Sequence, residues 1–156
     1  MQIRIVAVGT KMPAWVGAAV EDYSRRLAGD WQLEWREVRA EPRGASGHAK
    51  AWMQREAERI RGALPQGGRL VVLDEHGRDL DTRQFAQRVA GWRDDARPVA
   101  IVIGGPDGLD PALARDADDT LRLSSLTLPH PLVRVVLAEQ LFRAWSILAG
   151  HPYHRE

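Results

Sequence analysis

Apolar side chains along this chain follow two rhythms. The first is a period of two, or an unbroken run of five or six residues, which marks β-strands. Gln2–Val8 is a strand rich in Ile and Val, and Trp31, Leu33 and Trp35 alternate with Gln32, Glu34 and Arg36 as a half-buried strand does. Arg69–Asp74 (RLVVLD) and Pro98–Ile103 (PVAIVI) are continuous apolar runs, the pattern of strands covered on both faces of a parallel sheet. A brief further strand is expected near Leu121–Leu123.

The second rhythm has helical spacing. Val16, Val20, Tyr23 and Leu27 follow Pro13, which suits the first turn of a helix. Trp52, Met53, Ile60 and Leu64 mark a second helix, stopped by Pro65 and the Gly67-Gly68 pair. Phe85, Val89 and Trp92 mark a third, with Asp81 or Thr82 as its cap. A short helix is expected around Ala112–Ala117, and a long one from about Pro131 to Ala149. Alternation of the two element types predicts an α/β fold: an open, mostly parallel sheet with helices on both faces. Residues 1–156 read as a single domain, with the polar loop EPRGASG, residues 41–47, as the one linker-like stretch.

A chain of 156 residues can bury a core without cross-links, and it contains no Cys. That excludes Cys-ligated metal sites and suits a reducing compartment. No apolar run approaches the ~18 residues of a membrane helix, and MQIRIVAVGT lacks the layout of a signal peptide. A cytoplasmic protein without membrane contact is expected. The net charge of +1 is unevenly spread, about +4 over residues 1–69 and −3 over 70–156. Lys11, Arg25, Arg26, Arg36, Arg39, Arg43 and Lys50 form either an ordinary solvated surface or an approach for an anionic partner.

In open parallel sheets ligands bind at the carboxyl ends of strands. Three such ends carry candidate chemistry: Leu73-Asp74, Gly104-Gly105, and Leu123 through Leu128. IGGPDGL is a strand-to-helix turn whose glycines also permit close approach of a ligand, but it matches neither a P-loop nor GxGxxG. Asp74 either binds a ligand or caps a turn with Glu75 and Gly77. LSSLTLPHP is either a plain loop or an extended segment whose free backbone groups read an adenine edge while its leucines enclose the ring. The last helix is apolar over most of its circumference, with a narrow polar stripe of Glu139, Arg143 and Ser146. One sheet face covers only one side of such a helix, so either a two-fold homodimer covers the rest, which is the expectation at this chain length, or the helix is central and wholly buried within one domain. The tail HPYHRE gathers titratable and aromatic groups, so the terminus is expected to lie in a site. His151 and His154 stand three apart with no third His nearby in sequence, and general-base or positioning work suits them better than metal binding.

Taken together, VAVGTKMPAWV, the LD strand end, IGGPDGL, LTLPHPLVRVVLAEQLFRAW and HPYHRE resemble one family over the whole chain. It is the bacterial ribosomal RNA large-subunit methyltransferase H family, small members of the SPOUT class. The resemblance implies a C-terminal deep trefoil knot, a homodimer, and S-adenosylmethionine as methyl donor with no metal. The reaction it implies is N3-methylation of a pseudouridine in large-subunit rRNA on the assembled ribosome. It assigns cofactor contacts to Leu73, Gly104, Gly105, Leu123, Ser124, Ser125, Leu126, Thr127 and Leu128. It assigns His130, Arg143, Tyr153, His154 and Arg155 to the neighbourhood of the reaction, with the tail acting across the dimer interface. Where relatives often carry Gly-Lys after the LD strand, this chain has Gly77-Arg78.

Methyl transfer to an imide nitrogen needs alignment and loss of a proton. His154 is expected as base or relay, Tyr153 as a stacking group, and Arg155 or Arg143 as the stabiliser of oxyanion character. Two other readings compete: a non-catalytic ribosome-binding factor with a vestigial cofactor site, and a flavodoxin-like small-ligand module.

Overall fold

The computed structural model describes residues 1–44 and 47–155, so Ala45 and Ser46 of the expected 41–47 loop and Glu156 of the tail lie outside the described residues. Five strands form one parallel sheet: β1 (Gln2–Val8), β2 (Gln32–Val38), β3 (Arg69–Asp79), β4 (Val99–Ile103) and β5 (Asp119–Arg122), in the order β2-β1-β4-β3-β5. Five helices connect and close it: α1 (Ala14–Arg26), α2 (Ala49–Ala63), α3 (Thr82–Asp95), α4 (Pro111–Arg115) and α5 (His130–Leu148).

Alternate residues of each strand point to opposite faces, and both faces are apolar at the centre of the sheet. Ile3, Ile5, Val71, Val99 and Ile101 meet Phe85, Val89 and Trp92 of α3 and Leu137 and Leu141 of α5. Val6, Val8, Val72 and Val102 meet Ala57 and Ile60 of α2 and Leu113 of α4. This explains why β4 reads as an unbroken apolar run: all five of its residues are buried. Trp92 is 2% exposed, and its indole N–H donates to Asp119 Oδ2 at 2.9 Å, tying α3 to the edge strand.

Local signals set the helix ends. Asp81, rather than Thr82, caps α3 in a reciprocal capping box with Gln84. Asp110 caps α4, with Pro111 in its first turn. Pro13 stands at the cap of α1 instead of within its first turn.

Three strand expectations need correction. Trp31 is buried but precedes β2. β5 ends at Arg122, leaving Leu123 outside it. β3 continues to Asp79 instead of stopping at Asp74. Leu73 and Arg78 both pair with Leu121, so residues 74–77 leave the ladder and rejoin it. Gly77 permits the return: a Cβ there would lie 2.5 Å from the Leu121 carbonyl carbon.

α5 packs against α1 and α3 as well as the sheet, so one subunit covers more of its circumference than the sequence suggested. Its polar stripe is also less solvated than expected. Ser146 is fully buried and donates to the Arg143 carbonyl at 2.7 Å, and Arg134 is 4% exposed. Among the described residues no helix is long and apolar enough to cross a membrane.

Candidate functional site

The connections after β3 and β4 leave the sheet in opposite directions. The chain after β3 leads to α3 on the α5 side, and the chain after β4 leads to α4 on the α2 side. Such a divergence opens a crevice at the carboxyl ends of parallel strands. The segment after β5 crosses this crevice to start α5, leaving a cleft of about 610 Å³. Leu73, Gly104, Gly105, Leu123, Ser124, Leu126, Thr127, Leu128 and His130 all line it, whereas Ser125 is exposed and does not.

Each wall has a local cause. Gly108 N–H donates to Gly105 O at 3.0 Å, closing a tight turn with Pro106 and Asp107 at its corner. Gly108 has φ +87°, in the region that favours glycine, and a Cβ on Gly104 would fall 2.9 Å from Leu109 Cγ. Asp74 accepts from His76 N–H at 2.7 Å, so in this structure it caps the turn of the β3 excursion. Ser124 Oγ accepts from Leu126 N–H at 2.9 Å and bends the crossing segment.

His130 fastens the start of α5 to the end of β4. Its Nδ1 lies 3.1 Å from Gly104 O, and its Nε2 accepts from Arg134 Nε at 2.9 Å. An arginine always donates, so Nδ1 carries the proton and donates to the carbonyl. Burial, and then the neighbouring Arg134, push the His130 pKa below the usual histidine value. Both ring nitrogens are therefore engaged in holding the cleft wall. Arg134 also donates to Gly9 O at 2.8 Å and to Glu37 Oε2 at 2.5 Å, joining the ends of β1 and β2 to α5. Sequence reasoning missed Arg134. Its signal was an arginine at helical spacing with Leu137, Ala138 and Leu141, inside the apolar stripe.

The remaining candidates gather elsewhere. Arg143 pairs with Glu139, Tyr153 OH donates to Glu139 Oε1 at 3.0 Å, and Arg143 Nη1 lies 3.3 Å from His154 Nδ1. The Tyr153 ring packs 4.5 Å from that of Phe142, with the Arg143 guanidinium 4.8 Å above it. Burial, reinforced by the Glu139 hydrogen bond, pushes the Tyr153 phenol up to about 12, so it stays a neutral donor. Arg143 donates to His154 Nδ1, which leaves the proton of a neutral His154 on Nε2. Arg155 is exposed. Arg143 lies thirteen positions along α5 from His130, about 20 Å along the axis. Within one chain, the cleft and the tail cluster thus stand apart.

The basic half of the sequence is largely self-paired. Arg26 bonds Asp22, Arg36 bonds Glu34, and Arg43 bonds Glu56 and Asp107.

Known proteins share this arrangement along its full length. The family described as "Predicted SPOUT methyltransferase" matches residues 1–154. A protein of Bordetella petrii named "Ribosomal RNA large subunit methyltransferase H" is 54% identical over 155 residues, 99% of each chain. One of Methylibium petroleiphilum with the same name is 54% identical over 156 residues, 100% of each chain. Among solved structures, a probable methyltransferase from Bordetella pertussis Tohama I superposes with TM-score 0.59 at 20% identity, covering 92% of this chain and 96% of that one. It shares the fold. With 54% identity over 99–100% of these relatives' length, the chain belongs to the SPOUT methyltransferases, in the ribosomal RNA large subunit methyltransferase H family.

Proposed function

We propose that this methyltransferase moves the methyl group of S-adenosylmethionine to N3 of a pseudouridine in large-subunit rRNA, working as a homodimer on the assembled ribosome. The observation that carries the reading is the cleft at the ends of β3, β4 and β5. Its volume of about 610 Å³ suits a nucleoside-sized ligand. Its walls combine leucines and glycine backbone with polar side chains such as Asp74, Asp107 and Ser124, and carry no lysine-bearing phosphate loop. Arg122 on its rim has a buried Nε without an acceptor among the described residues, an orphaned donor of the kind a ligand satisfies. These residues fit the cofactor: Leu73, Leu123 and Leu128 would enclose its ring, and the Gly104–Gly108 turn would lie against it. When bound, the cofactor supplies an electrophilic sulfonium methyl.

The chain's own residues handle the acceptor. The N3 proton must leave as the nitrogen lone pair forms its bond to carbon and the carbon–sulfur bond breaks. His154 takes that proton once Arg143 turns from Nδ1 to the base's carbonyl oxygen, where it stabilises the oxyanion. Tyr153 orients the ring, and Arg155 approaches the RNA. Because cleft and tail stand apart within one chain, each tail serves the cleft of a second copy. Trp15, at 52% exposure, and Leu132, at 39%, on α1 and α5 are the apolar surface for that pairing. The trefoil knot belongs to the same reading. It is supported by the path of the chain from edge strand β5 back across the ends of β3 and β4 to α5 on the opposite face from α4.

The test combines the purified protein, isotopically labelled S-adenosylmethionine and ribosomes lacking the modification, with solution mass measured in the same buffer. Label in large-subunit rRNA at a pseudouridine, from a dimer, is the expected result. A dimer that binds ribosomes without transferring label would overturn it in favour of a binding factor.

A further inference from the structure

One buried carboxylate lies outside the chemistry above. Glu56 of α2 is 2% exposed, on the sheet face away from α5. Its Oε2 accepts from Glu41 N–H at 2.8 Å and from Arg43 Nη1 at 2.5 Å, and its Oε1 accepts from Arg43 Nη2 at 3.3 Å. Arg43 then reaches outward, donating to Asp107 Oδ2 from Nη2 at 2.8 Å and from Nε at 3.1 Å. Asp107 stands at the corner of the Gly105–Gly108 turn and lines the cleft; neither Arg43 nor Glu56 does. The turn also rests directly on the acid: a Cβ on Gly105 would fall 2.9 Å from Glu56 Oε1 and 3.1 Å from Val8 Cγ1.

A charge at this depth is retained only when it is paired and hydrogen-bonded, and here the pairing ends on one cleft wall. The planar guanidinium holds both carboxylates in fixed directions, a geometry a lysine cannot reproduce. Trp52 packs 5.3 Å from the same guanidinium and limits its swing.

We propose that Glu56, Arg43 and Asp107 form a positioning relay that sets the Gly104–Gly108 wall, so that Arg43 controls the affinity of the cleft for its nucleoside ligand without touching it. This rests on the reading of the cleft as the cofactor site. It assigns to Arg43 a task that the reading of residues 41–47 as a polar, linker-like loop did not suggest.

The test is calorimetric titration of S-adenosylmethionine into the parent, Arg43→Gln, Arg43→Lys, Asp107→Asn and the Arg43→Gln/Asp107→Asn double variant, each checked for its melting temperature. Expected is a roughly fivefold to tenfold rise in Kd for Arg43→Gln, with partial recovery in Arg43→Lys. The double variant is expected to match the weaker single one, because both changes cut the same link. Should Arg43→Gln not fold, Arg43→Lys and Asp107→Asn carry the comparison, each expected to raise Kd. With saturating cofactor, kcat of Arg43→Gln and Arg43→Lys, whose residue does not line the cleft, should stay within about twofold of the parent. Unchanged Kd in a folded Arg43 variant overturns the relay, as do effects of Arg43→Gln and Asp107→Asn that multiply in the double variant. A folded parent that binds no cofactor would instead sink the reading of the cleft itself, and the relay with it.

Discussion

Replacing Arg134 by Met tests how the cleft wall is held. The side chain is 5% exposed and makes three kinds of bond: to Glu37, to Gly9 O and to His130 Nε2. Glu37 is 41% exposed, so water replaces its lost partner and that pair contributes little. The other two acceptors are more enclosed. Leaving each without a donor costs about 1–1.5 kcal/mol, while Met fills most of the space of the aliphatic stem. The expected destabilisation is therefore about 2–3 kcal/mol. For a domain of this length each kcal/mol lowers the melting temperature by roughly 2–4 °C, so a fall of about 4–12 °C is expected. The assay is thermal unfolding followed by circular dichroism at fixed protomer concentration, since association would shift both midpoints. Glu37→Gln serves as the control and should cost under about 1 kcal/mol. A midpoint for Arg134→Met within 2 °C of the parent, or an equal loss in Glu37→Gln, would refute the assignment of stability to the buried acceptors.

Two further outcomes follow from the same geometry. Gly77→Ala places a Cβ 2.5 Å from the Leu121 carbonyl carbon, so β3 and β5 must part, at about 2–3 kcal/mol in denaturant titration. Gly91→Ala, in α3 with nothing within 4 Å, should instead stabilise by about 0.5–1 kcal/mol, and equal effects at the two sites would contradict the packing. The lowered pKa of His130 makes the folded state bind its proton less readily than the unfolded chain. Its contribution to stability is complete above the unfolded value of about 6.5 and declines as pH falls through that value toward the folded one. His130→Gln should flatten that part of the stability–pH curve, and an unaltered curve would exclude the effect.

The elements were legible where one physical signal dominated. The wholly apolar β4 and the capped, periodic α3 follow from their residues alone. The length of β3 was not legible, because Glu75, His76 and Arg78 look like a turn. Only pairing with β5 extends the strand past them. The cleft lining was readable as three strand ends, since a parallel sheet directs those ends to one edge. The fastening behind it was not. Arg134 and Glu56 are charges whose partners lie 97 and 13 residues away, and no local pattern announces a pair that only the fold brings together. The distance of Arg143 from the cleft already followed from the expected long helix, whereas the return of Tyr153 and His154 onto Glu139 and Arg143 did not.

The two sides of the sheet are unequally filled. Among the described residues, the α5 side buries a cluster of sixteen apolar residues with Phe85 and Trp92 in edge-to-face contact, and the α2 side a cluster of eight. The smaller side is braced by ion pairs: Glu41 with Arg55 and Arg59, and Arg61 with Asp116. Local opening is least costly where apolar contact is thin, so spontaneous amide exchange should begin in α2 and α4 and reach α3 and α5 last. The cleft lies between these two regions, with Gly105 on one and His130 on the other. On this ground the cleft is expected to act as a clamp whose Gly105 jaw yields before its His130 jaw.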